Sequence, residues 1–167
     1  MPLQRRIPKE ELVQSIALRA VLSRRQVTEV LSDFWRNHFN VSYTKGDSIF
    51  SQITDYHREV IRENVWRSFP SMLKASAKHP AMLNYLDNHL SRRPPNKQEL
   101  DRIERRTRRK TGSREEAEEA VSLALQRGLN ENYARELLEL HTLGVDNYYD
   151  QKDVEAVANI FTGWTID

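Results

Sequence analysis

Apolar residues in this chain recur three or four positions apart and seldom alternate, which is the spacing of helices and not of strands. Leu12, Ile16 and Ala20 form one stripe of a first predicted helix over residues 9–22, entered through Pro8. Ser23 and Gln26 stand three apart as a capping box requires. A second helix is therefore predicted from there to Phe39, with Val27, Val30, Leu31, Phe34 and Trp35 on its apolar face. After the turn NVSYTKGD, Asp47 or Ser48 is placed to cap a third helix carrying Ile49, Ile53, Tyr56 and Val60. Pro70 and Pro80 can begin a helix but not continue one, which predicts two short helices over 71–78 and 81–88. Met82, Leu83 and Leu86 are the buried side of the second. Ser113 with Glu116 marks the start of a helix running to about Arg127, Gly144 stops a helix over 130–143, and Asp150 caps a last helix reaching Phe161. The expected fold is all-α, a multi-helix, orthogonal or bundle-like domain with no sheet.

At 167 residues the chain is a single domain, 1–167, with no room for two independent cores. Charge changes the picture only locally. The net charge is +2, too small to mark the whole surface as a nucleic-acid or membrane binder. Between Arg92 and Lys110, however, nine basic residues face only Glu99, Asp101 and Glu104, a local +6. This makes residues 96–127 read as a charged helical insertion. With no cysteine, disulfides, thiolate metal sites and cysteine nucleophiles are excluded. No apolar run approaches the ~18 residues of a membrane span, and the start, MPLQRRIPKEEL, has no apolar stretch of a secretion signal.

The stretch GLNENYARELLELHTLGVD (128–146), followed by YDQKDVEAVANIFTGWTID, resembles the bacterial domain-of-unknown-function 1800 family. DFWRNHFNVS (33–42) and AKHPAMLNYLDNHLSR (77–92) resemble two further motifs of that family, in the same order. The resemblance covers nearly the whole chain and corresponds to a middle portion of a longer family domain, as expected of a fragment or short member. It implies a helical bacterial protein, often exported or periplasmic, and implies no activity. Arg36 stands where the family often has an aromatic residue, and the 96–127 segment has the look of an insertion between motifs.

Five histidines supply the first candidate chemistry. On a helical wheel His38 falls within the stripe of Val27, Leu31 and Phe34, and His57 flanks that of Ile49, Ile53 and Val60. His141 lies between Leu137 and Ala134. A metal site built from His38, His57 and His141, completed by Asp87, Glu131 or water, is one reading, although no ligand spacing such as HExxH occurs. The other makes these residues core histidines bonded to carbonyls or carboxylates.

A second constellation opens one helix: Asn130, Glu131, Asn132, Arg135, Glu136 and Glu139. In the functional reading Glu136 or Glu139, with His141, is a catalytic candidate, while Asn130, Glu131, Asn132 and Arg135, together with Asp87 and Asn88 of YLDN, bind a polar ligand. In the structural reading the same residues cap helices and form surface pairs. Trp35, Trp66 and Trp164 are stacking platforms or, more commonly, packing anchors. The basic segment has no aromatic residue to stack a base, so nucleic-acid binding is disfavoured. No phosphate loop or nucleophile elbow is present.

The sequence thus points to a binding or scaffold module of a larger exported or envelope-associated protein. Its expected partner is another protein or a second copy of itself. A metal-assisted hydrolase with a carboxylate and histidine site is the alternative, and nucleic-acid binding through residues 102–110 the weaker one. No cofactor is indicated.

Overall fold

A computed structural model describes residues 7–126, 128–145 and 147–166. It is all-helical, with no strand among the described residues. The order is α1 (Ile7–Leu22), α2 (Gln26–His38), α3 (Asp47–Asp55), α4 (Phe69–Lys78), α5 (Pro80–Tyr85), α6 (Lys97–Thr111), α7 (Arg114–Gln126), α8 (Asn132–Glu136) and α9 (Gln151–Phe161). Short 3₁₀ turns at Tyr43–Lys45 and Asn88–Leu90 link elements, and none of the described helices is long and apolar enough to cross a membrane.

Two predicted helices are not uniform. The third is α-helical only to Asp55 and continues as a π-helical turn, Tyr56–Arg62, whose last carbonyls are held by Asn64. Its buried Nδ2 donates to Glu59 O and Val60 O, both at 2.9 Å. The predicted helix over 130–143 begins at Asn132 and turns π-helical over Leu137–Thr142. A π turn packs more residues per turn than the α-helix, so side chains beyond it rotate away from the positions a 100° wheel assigns. Both buried histidines, His57 and His141, sit in these turns.

The caps divide in the same way. Asp150 accepts from the N–H of Lys152 (2.8 Å) and Asp153 (3.1 Å), and Asp153 returns a bond to the Asp150 N–H, completing a capping box. Asn96 with Glu99 forms another, which the sequence reading missed, and Ser113 Oγ accepts from Glu116 N–H at 3.3 Å. The box expected at Ser23 is absent. Its Oγ accepts from Arg25 N–H, and Gln26 donates to the Ser23 carbonyl, so the turn tightens and α2 starts only at Gln26. Gly46 occupies the cap position of α3; the side chains of Asp47 and Ser48, and the helix end at Arg127, lie outside the described residues. Gly144 ends its segment at φ +91°, the left-handed geometry that glycine adopts without steric cost.

The core gathers where α3, its π turn, α4 and α5 meet the end of α2, around Phe39, Ile49, Ile61, Met72, Met82 and Tyr133. Tyr56 ties it together. Its hydroxyl donates to Phe39 O at 2.9 Å and lies 2.8 Å from Ser76 Oγ, so a buried polar group is satisfied from two elements. A smaller cluster of Ala134, Val154 and Ala158 joins α8 to α9. By contrast, α6 and α7 pack on each other as a hairpin and touch the other elements only sparsely, and no residue of α6 is buried. The hairpin's ends meet: Arg92 N–H donates to Gly128 O at 3.3 Å and Asn130 N–H to Ser91 Oγ at 3.1 Å.

Candidate functional site

The turn at residues 86–91 is where the resembling segments come together. Asp87 adopts a left-handed conformation (φ 57°), tolerable for Asp, and this throws Asn88 inward to near-complete burial. Asn88 Nδ2 donates to Phe161 O (3.2 Å) and, more weakly, to Trp164 O (3.4 Å), fastening the end of α9. Asn130 Nδ2 donates to Asp87 O at 3.0 Å, its Oδ1 accepts from Asn132 N–H at 2.9 Å, and Asn132 Nδ2 reaches Leu86 O at 3.4 Å. Lys45 holds the same turn from the other side through the Tyr85 carbonyl and, at 2.6 Å, through Asp87 Oδ2.

The structure therefore brings Asp87, Asn88, Asn130 and Asn132 together, but it spends the three asparagine amides on the backbone and the Asp87 carboxylate on Lys45. Asn130 caps α8 from just upstream while tying two loops. Of the polar atoms in this turn, Asn88 Oδ1 is left buried without a partner among the described residues. Glu131, Arg135 and Gln151 form a half-exposed network linking α8 to the start of α9: Arg135 contacts Glu131 at 3.4 Å and Gln151 at 2.8 Å, and Gln151 donates to Glu131 at 2.8 Å. Arg135 also lies 3.5 Å from Glu139. Glu136 has no hydrogen-bond or ion-pair partner among the described residues. Burial raises its carboxyl above the usual range, and the neighbouring Glu139 adds to this.

The histidines separate into two places. His38 and His141 face each other with ring centroids 6.2 Å apart in an aromatic cluster with Phe34, Trp35, Phe39 and Phe69. His38 Nε2 lies 3.1 Å from the His141 carbonyl, which makes it the donor there and fixes its tautomer. Burial lowers the His141 pKa to about 4, with a further contribution from His38. His57 lies elsewhere, beneath α1 and beside Arg36 and Arg62. Burial lowers its pKa to about 4, and Arg36, Arg62 and Arg19 reinforce the effect. Among the described residues no three His, Asp or Glu side chains converge as metal ligands.

The tryptophans also divide. Trp35 belongs to the aromatic cluster and Trp164 packs edge-on against Phe161 at 4.8 Å, whereas Trp66 is exposed. Sequence reasoning missed the space beneath α1, a pocket of about 340 Å³ walled by Leu12, Ile16, Phe39 and Ile53 and bordered by Arg36 and His57. The one available signal was that α1 carries apolar side chains on more than one side, and a stripe reading registers only one side of it.

No curated protein and no solved structure matches this chain. A family does: the match to "Protein of unknown function (DUF1800)" runs over residues 2–167, and the chain belongs to that family.

Proposed function

We propose that the chain is a helical binding and scaffold module whose working surface is the uncovered side of α1 and α2, and that a second copy covers it in solution. The observation that carries this reading is the state of α1. Leu12, Val13, Ile16, Ala17, Leu18, Ala20, Val21 and Leu22 put apolar side chains on more than one side of it, interrupted by Gln14, Ser15 and Arg19, which is more apolar surface than one packed face uses. Among the described residues α1 packs on one side, against α3 and α2, while Leu18, Val21 (78% exposed) and Leu22 (72% exposed) are exposed. Val27, Val30 and Phe34 of α2 are exposed as well. Concentrated apolar exposure of this kind marks interaction surfaces.

Membership of a larger exported or envelope-associated bacterial protein rests on the family resemblance alone. The hydrolytic alternative has one supporting contact, the His38–His141 pair, and lacks a third ligand among the described residues.

Light scattering across a micromolar concentration series tests the proposal. The native chain is expected to run as a dimer or larger. The double variant Val21→Lys, Leu22→Glu is expected to be monomeric with its melting temperature nearly unchanged, because both side chains are already solvated. A native chain that stays monomeric throughout, or a variant that associates as the native chain does, refutes it.

A further inference from the structure

The three clefts beneath α1 share one residue. His57 lines the apolar pocket, a polar cleft with Ser15, Arg19, Thr54 and Arg62, and a third with Glu29, Ser32, Asp33 and Arg36. It is 5% exposed, and no hydrogen-bond partner faces its ring among the described residues. Two hydroxyls in these clefts, Ser32 Oγ and Thr54 Oγ1, are buried without a partner as well. Buried polar groups are nearly always hydrogen-bonded, so an unsatisfied imidazole on the wall of the apolar pocket, with an unsatisfied hydroxyl in each of the two adjoining clefts, indicates a place made to hold something polar.

The charge on the borders states the sign. Arg62 is committed to Glu29 through its two terminal guanidinium nitrogens, Nη1 and Nη2, at 2.7 and 3.0 Å, and this pairing holds the Glu29 carboxyl low. Arg36 contacts Asp33 through a single nitrogen, Nη2, and its other donors have no hydrogen-bond partner among the described residues. The lining of the apolar pocket itself carries one cation, Arg36, and no carboxylate, whereas the adjoining clefts hold Arg19, Arg58 and Arg62 against Glu11, Glu29, Asp33 and Glu63. A neutral imidazole still carries one N–H to donate. Beyond Arg36 and His57 the lining is hydrocarbon apart from Tyr56, whose hydroxyl is already bonded to Phe39 O and Ser76, and about 340 Å³ falls at the small end of ligand-pocket volumes.

We propose that the space beneath α1 binds a small amphipathic carboxylate. Its apolar chain lies among Leu12, Ile16, Phe39 and Ile53, and its carboxylate accepts hydrogen bonds from Arg36 and His57. Ser32 lies in the adjoining cleft that Arg36 and His57 also line. The occupant is a monocarboxylate with a short alkyl or aromatic body, not a bare inorganic anion, because only the head has polar partners. The site is separate from the exposed side of α1 on which the scaffold reading rests, so either can fail without the other.

Octanoate, 1-octanol and acetate are the probes, titrated into the full chain by calorimetry and by NMR of the histidine rings. Octanoate is expected to saturate at one per chain and to move the His57 ring signal, while octanol and acetate bind at least tenfold more weakly. Arg36→Met is expected to weaken octanoate at least tenfold. Val13→Trp, at the half-exposed mouth of the pocket, is expected to abolish binding with the fold retained, and it serves should Arg36→Met fail to fold. Octanol binding as tightly as octanoate, an unmoved His57 signal, non-saturating uptake, or unchanged affinity in a folded variant overturns the proposal.

Discussion

Lowering the pH from 7.5 to 5 should destabilise this protein through His57 and His141. Both have folded-state pKa values of about 4 against 6.5 for a solvated histidine, because burial penalises the imidazolium, and nearby arginines reinforce this for His57 as His38 does for His141. A depressed histidine pKa means that the unfolded chain takes up protons that the folded chain refuses. The associated stability is complete above pH 6.5 and is lost as pH falls toward 4. Over that interval each group accounts for about 2 kcal/mol, and the pair for about 4 kcal/mol. For a chain of this size the melting temperature should drop by roughly 8 to 16 °C. Thermal melts by circular dichroism at half-unit pH steps measure this. His57→Gln and His141→Gln should each remove about half of the slope. A melting temperature flat to within about 2 °C over this interval, or a double variant that keeps the full drop, refutes the reasoning.

Replacing residues 93–127 by a short glycine linker should leave a cooperative melt and an unchanged helical core, because the hairpin's ends already meet at Arg92 and Gly128 and no residue of α6 is buried. Loss of cooperativity would show that the hairpin is integral to the fold. Glu136→Gln should stabilise the protein at pH 7 by about 0.2 to 0.5 kcal/mol, through relief of a like-charge pair with Glu139. The gain should vanish on acidification, once the native carboxyl is itself protonated. A less stable Gln variant in a denaturant titration would mean that the Glu136 carboxylate has a stabilising partner.

What the sequence determined by itself was local. The helical class, the Asp150 cap, the stop at Gly144 and the prolines opening α4 and α5 were legible because each depends on residues within one turn of one another. The density of Asn130, Glu131, Asn132 and Arg135 was equally visible. Its use was not, since Asp87 and Leu86, to which Asn130 and Asn132 donate, lie some forty positions away in sequence. The π turns escaped for a related reason: a fixed 100° wheel cannot register an extra residue accommodated by packing around His57 and His141. The wheel could show that three histidines point inward. Only the tertiary structure decided that His38 and His141 meet while His57 lies apart under α1, because direction on a helix is a local property and the meeting of faces depends on how whole helices cross.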